Sequence, residues 1–352
     1  VLRRTLALAV STALAATLLT ACAPGAEKPQ IALLLPDKKT ARYETFDRPV
    51  FEERVAERGG YSVLYANADQ DAAKQQQQAE SALAAGVKVL VLDPVDAKAA
   101  ATIVGAARAQ DVPVVSYDRL VDGGGLAYYV SFDNERVGEL QAEALSRALD
   151  QTDEPDAGIL MVNGSPTDSN ATLFRRGALR ILEERGITVL AEYSTPDWSP
   201  DKAQEWVAGQ ISQYGERIAA VYAANDGTAS GAIAALRAAD VSPLPPVTGQ
   251  DAELSALQRI LTGDQYMTVY KALRPQAQRA ADVAVDLAEG RAVTGETVVD
   301  GTPATLLLPV AVTIDEIAGT VIADGFWSVE DICTAPYLAA CEAAGISEDD
   351  AP

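Results

Sequence analysis

From residue 31 onward, short apolar runs alternate with longer amphipathic stretches. Runs at 31–35, 62–65, 87–92, 112–116 and 128–132 read as strands, and a second series follows at 158–162, 188–192, 219–223, 246–248 and 267–270. Between them lie Ala-, Leu-, Arg- and Glu-rich segments of helical length, among them 134–149, 168–185, 227–239 and 275–289. Continuous Val/Ile/Leu runs bounded by turn residues are what a parallel sheet covered on both faces requires. Strand–helix alternation then predicts a doubly wound α/β fold, and two such series predict two similar lobes. The glutamine run at 75–78 falls inside a predicted helix and reads as a solvated face.

The polar residues that end the strands are unlike ordinary loop filler. They include Asp37-Lys38-Lys39, Asp93-Pro94-Val95-Asp96, Asp118-Arg119 and Asn163-Gly164-Ser165 in turn. Later strands end in Asp197-Trp198, Asn225-Asp226, Gln250-Asp251 and Lys271. Any one cluster could simply cap the helix that follows it. Their recurrence points instead to a cleft, because open α/β sheets bind ligands outside the carboxyl ends of their strands. The chemistry suits a sugar. Carboxylates accept from hydroxyls, Arg and Lys donate to them, amides do both, and aromatic rings cover the C–H faces.

Composition narrows the choice. At 352 residues the chain exceeds one typical core, and 48% hydrophobic residues can fill two. The net charge of -22 argues against nucleic acid, which needs a basic face. There is no His, the commonest metal ligand and neutral-pH acid–base group, so neither a metal site nor a cofactor is expected. Arg3 and Arg4 precede an apolar, small-residue run and then Leu19-Thr20-Ala21-Cys22. That pattern reads as an export signal over 1–21, and its ending resembles a bacterial lipobox in which Cys22 is lipidated. Residues 22–30 then form a tether, and the expected location is the outer face of the cytoplasmic membrane. The remaining cysteines, Cys333 and Cys341, should pair in an oxidising setting. One straight helix would hold their Cα atoms roughly 12 Å apart, too far to bridge, so the chain must turn between them, at Pro336.

Several blocks carry a family resemblance: Val115-Ser116-Tyr117-Asp118-Arg119, Ser131-Phe132-Asp133-Asn134-Glu135-Arg136, and Asn163-Gly164-Ser165-Pro166-Thr167-Asp168-Ser169-Asn170. Ala224-Asn225-Asp226-Gly227-Thr228, Gly249-Gln250-Asp251-Ala252 and Met267-Thr268-Val269-Tyr270-Lys271 extend it. In order, from about residue 31 to 332, they resemble the periplasmic D-xylose-binding protein family, type I sugar-binding proteins of ABC importers. The resemblance implies two Rossmann-like lobes with parallel sheets, joined by three hinge crossovers near Asp133, Tyr270 and Pro309. It places 31–132 plus 272–305 in the N-terminal lobe and 133–266 plus 306–335 in the C-terminal lobe. A tail over 336–352, stapled by the disulfide, follows. It implies that Asp118 and Arg119 grip ring hydroxyls, that Asn170 adds an amide, and that Trp198 stacks on the sugar. Asn225 and Asp251 would serve the far edge, and Lys271 would close the network. Arg42-Tyr43 stands where the family typically has Arg-Trp, and this departure bears on which sugar fits. Asn134 reads as a hinge or cap residue rather than a ligand contact.

The function that follows is capture of a monosaccharide, D-xylose first, by a monomer that delivers it to a permease. Glucose, galactose and arabinose remain alternatives, as does presentation of sugar to a membrane sensor. An enzyme is disfavoured, because the chain has no Gly-x-Ser-x-Gly elbow, no Walker-type loop and no His for a triad.

Overall fold

The computed structural model describes residues 28–149 and 157–347. The expected signal segment and Cys22 lie outside those residues. The first half supplies strands β1 (Gln30–Leu35), β2 (Ser62–Asn67), β3 (Val89–Leu92), β4 (Val114–Tyr117) and β5 (Tyr128–Phe132). Then come β6 (Gly158–Asn163), β7 (Val189–Ser194), β8 (Ile218–Ala223) and β9 (Thr268–Tyr270). The last are β10 (Thr297–Val299), β11 (Thr302–Leu307) and β12 (Val310–Val312). One sheet runs β10-β11-β5-β4-β3-β1-β2, parallel except for the antiparallel edge strand β10. A second runs β7-β6-β8, and β9 pairs antiparallel with β12.

Both sheets are sandwiched by helices, which explains their uninterrupted apolar runs. Side chains alternate faces along a strand. In β1, Ile31, Leu33 and Leu35 therefore pack with the helices Arg48–Arg58 and Leu273–Ala288, while Ala32 and Leu34 pack with Ala72–Ala84 and Ala101–Arg108. In β6, Ile159 and Met161 face the helices Asn134–Leu149 and Ser169–Glu184, and Leu160 and Val162 face Pro200–Tyr214 and Asp226–Ala238. The result is the type I periplasmic-binding-protein fold, with two doubly wound lobes.

The chain passes between the lobes three times. It crosses from β5 into the helix that starts at Asn134, from β9 into the helix that starts at Leu273, and from β11 to β12. The crossings lie side by side. Asp133 N–H donates to Leu307 O at 2.9 Å, and Val310 sits opposite Tyr270. The segment 306–310 falls in two strands broken at Leu308-Pro309. Proline cannot donate to a ladder, and the break falls there. The first sheet continues through Leu307, past residue 305 where the lobe boundary was expected. The expected strand at 246–248 reduces to a single parallel bridge from Val247 to Val221.

Two local readings are settled by packing. The turn expected between the cysteines separates the helices Val329–Ile332 and Leu338–Ala343, and Cys333 and Cys341 are bonded with their Cα atoms 5.9 Å apart. Gln75, read from sequence as part of a solvated face, is buried instead. Its amide donates to Asp93 O at 2.8 Å and its carbonyl oxygen accepts from Val95 N–H at 2.9 Å, fixing the loop after β3.

Candidate functional site

The site is assembled from the carboxyl ends of the strands of both sheets, the place where an open α/β sheet leaves backbone groups and helix starts exposed to a ligand. The turn after β1 supplies Arg42 and Tyr43, and β4 ends in Asp118-Arg119. Across the cleft, the loop after β6 supplies Asn170, the one after β7 Trp198, and the one after β8 Asn225. Asp251 precedes β9 and Lys271 follows it. These nine sequence-named residues line one cavity, and each is at most 8% exposed. Thr40, Asp168, Phe174 and Gln250 line it as well and were not singled out from the sequence. Asp168 and Gln250 sit inside quoted motifs, where a capping aspartate and a neighbouring Asp251 masked them. Phe174 lies on the apolar face of its helix and carries no local signal.

Asp118 is the hub of the first lobe's wall. Its Oδ1 accepts from Arg42 Nη1 at 2.8 Å and from Gln276 Nε2 at 3.2 Å, and Lys271 Nζ lies 3.9 Å away. Burial would raise the pKa of this carboxyl, but Arg42, Lys271 and Arg119 outweigh it and hold Asp118 well below the usual carboxylate range. Arg42 is itself fixed by a two-pronged bond to Asp47, Nε to Oδ2 and Nη2 to Oδ1, each 2.8 Å. The Tyr117 hydroxyl also donates to Asp47.

Arg119 spans the cleft. Its Nε lies 2.8 Å from Asp168 Oδ2 in the second lobe, and Nη2 donates to the Tyr43 hydroxyl at 3.1 Å. Its ion-pair partners are Asp168, Asp93 and Asp37. Beneath it, fully buried Asp93 has no hydrogen-bond donor on either oxygen, and burial pushes its pKa well above the ordinary value. Burial likewise raises Asp168, against the pull of Arg119.

Trp198 is no surface aromatic. It lies edge-on to Phe174 with centroids 6.3 Å apart, and its indole N–H donates to Asp168 Oδ2 at 3.0 Å. Gly164 makes room for it, since a β-carbon there would fall 2.0 Å from the indole Cη2. Asn225 both caps and lines the cavity. It forms a capping box with Thr228 at the start of the helix Asp226–Ala238. Asp251 caps nothing, and its Oδ1 lies 3.2 Å from Lys271 Nζ. Asn134 stays behind the wall, donating to Asn170 Oδ1 at 2.8 Å and so turning that residue's amide N–H₂ toward Asp118.

Among the lining atoms, Gln250 Oε1 is buried with no hydrogen-bond partner in the protein, while Arg119 Nε and Asp251 Oδ1 are engaged in the ion pairs with Asp168 and Lys271. Donor and acceptor capacity thus converges on one small space bounded by aromatic rings. Such an arrangement can desolvate a neutral, hydroxyl-rich molecule and pair with it group by group.

Comparison with known proteins identifies the family. Residues 31–292 match the family model described as periplasmic binding protein domain. The D-xylose-binding periplasmic protein of Escherichia coli (strain K12) is 35% identical over 317 residues, 88% of this chain and 94% of that one. The Haemophilus influenzae protein of the same description is 35% identical over 86% of this chain and 92% of its own length. Among solved structures, an ABC transporter solute binding protein from Clostridium phytofermentans with bound β-D-glucose has a TM-score of 0.80 at 26% identity, covering 86% of this chain and 99% of that one. A carbohydrate transporter solute binding protein from Chloroflexus aurantiacus, in complex with D-glucose, has a TM-score of 0.78 at 29% identity, covering 86% and 98%. The chain therefore belongs to the D-xylose-binding branch of the type I periplasmic binding proteins, a family of extracytoplasmic substrate-binding proteins rather than enzymes.

Proposed function

We propose that this protein captures a monosaccharide, D-xylose first, in the interlobe cavity and delivers it to an ABC-importer permease. The observation that carries the reading is the cavity itself, which is small, walled by Trp198, Phe174 and Tyr43, and ringed by buried charged and amide groups from both lobes. In this reading Asp118 and Arg119 bind ring hydroxyls from the N-terminal lobe, residues 31–132 plus 272–305. Asn170, Asn225, Asp251 and Lys271 do so from the far side, and Trp198 covers a ring face. Cys22 tethers the exported protein, a monomer, to the membrane by lipid.

D-glucose is the second reading. Two similar solved structures hold it, and the Tyr43 hydroxyl offers a polar group at the wall where the family typically has Trp.

Titration calorimetry of residues 30–352 against D-xylose, D-glucose, D-galactose, L-arabinose and D-ribose tests both. Tight one-to-one binding of D-xylose supports the first reading, and preference for D-glucose supports the second. Binding of none of the five overturns the monosaccharide assignment.

A further inference from the structure

The family-model match ends at residue 292, and side chains beyond it pack behind two of the segments that line the ligand cavity. On the first wall, Arg42 and Tyr43 are carried by the π-helical turn Tyr43–Asp47. Tyr43 and Asp47 are buried in that turn, while Phe46 points to the C-terminal segment. Its ring stacks on Phe326 with centroids 4.0 Å and planes 13° apart, and it meets Trp327 edge-on at 5.1 Å.

On the second wall, Asp251 is presented by a turn in which two residues with side chains have positive φ, Asp251 at 99° and Ala252 at 49°. Such backbone persists only where its surroundings hold it. Here the Ala252 N–H donates to Thr268 Oγ1 at 3.2 Å, and its carbonyl accepts from the Trp327 indole N–H at 2.9 Å. A small space behind the ligand cavity is bordered by Arg42, Phe46, Asp251, Ala252, Phe326 and Trp327 together. Phe326 also packs on Tyr270 at the second crossover, with centroids 5.1 Å apart.

We propose that Phe46, Phe326 and Trp327 are positioning residues for ligand capture. Trp327 holds the turn that aims Asp251, and the Phe46–Phe326 stack fastens that wall to the Arg42–Tyr43 turn, which slows ligand release. The ligand itself is the monosaccharide of the function proposed above, and the inference rests on that reading only for the release measurement.

The test compares the wild type with Trp327→Phe, which keeps a ring and drops the N–H, with Phe46→Ala, and with Phe46→Leu as partial rescue. Hydrogen exchange on the ligand-free proteins needs no sugar. Trp327→Phe should speed exchange at 250–253, and Phe46→Ala at 41–47, with the sheets unaffected. Stopped-flow release of D-xylose and D-glucose should be about tenfold faster in Phe46→Ala, the loss of one aromatic contact, with association unchanged and Phe46→Leu in between. Unchanged exchange in both turns would overturn the proposal, as would a lowered melting temperature with release rates equal to wild type. A wild type that binds neither sugar would count against the ligand assignment alone, and the exchange result would still decide the positioning role.

Discussion

Asn170 donates its side-chain amide across the interlobe cleft to Asp118, at 3.1 Å to Oδ2 and 3.2 Å to the main-chain oxygen. One residue opens a second-lobe helix and the other ends a first-lobe strand, so this bond and the Arg119–Asp168 contact hold the lobes together at the ligand cavity itself. In the function proposed above, the side chains that tie the lobes together are also the ones that meet the sugar.

Asp118→Ala should therefore abolish tight sugar binding. It leaves Arg42 and Lys271 facing each other, and removing one partner of a buried charge pair typically costs about 3–5 kcal/mol. Calorimetry should show affinity reduced by at least about 100-fold, together with a lower melting temperature without sugar.

Gly164→Ala should displace Trp198, because the new β-carbon would overlap the indole. We expect sugar affinity to fall about tenfold or more, the loss of one well-placed aromatic wall. A shift in tryptophan emission should accompany it, with an unchanged far-ultraviolet spectrum showing that the lobes still fold.

Much of this site was legible in the sequence because strand ends are legible. A Val/Ile/Leu run that stops at Asp118-Arg119 or Asn225-Asp226 fixes a position in space as well as a residue type, since all carboxyl ends of a parallel sheet share one edge. What escaped depends on contacts distant in the chain. Phe174 reads as helix core until Trp198 is laid against it. Gln75 reads as solvated until its amide is seen to bridge Asp93 and Val95. Strands β10 and β11 are short, and three threonines and Pro303 interrupt the apolar residues among their nine, so periodicity could not separate them from loop.

Stability should decline as pH rises from about 4 toward 8, apart from any effect of sugar. Asp226 and Glu253 have pKa values raised to about 7 and about 8, in both cases first by burial; the Asp226 charge raises Glu253 further, and Arg259 opposes both shifts. A carboxyl that holds its proton more tightly folded than unfolded gives its full stabilisation below its ordinary pKa, about 4, and loses it as pH climbs through the raised value. Melting temperatures across this range should fall, and Asp226→Asn should flatten the profile. Asp118, shifted the other way, loses its contribution only in strong acid.

Reducing the Cys333–Cys341 bond, or replacing both residues by Ala, should cost roughly 2–3 kcal/mol by the chain-entropy account of so short a loop. Cys333, Cys341, Ile332 and Ile346 belong to the same core as the helix Leu254–Leu261, so the loss should appear first as exchange in that helix. Thermal melts with and without reductant would measure it.

The three crossovers run side by side, joined by the Asp133–Leu307 bond and the Val310–Tyr270 pairing. Mechanically they form a leaf spring. A strip of this kind bends more readily about one axis than it twists or shears, so we expect the two halves to move along a single path between apart and together. A receptor restricted to one path converts any captured molecule of the right shape into one posture. In the function proposed above, the permease would then read that posture without ever touching the cargo.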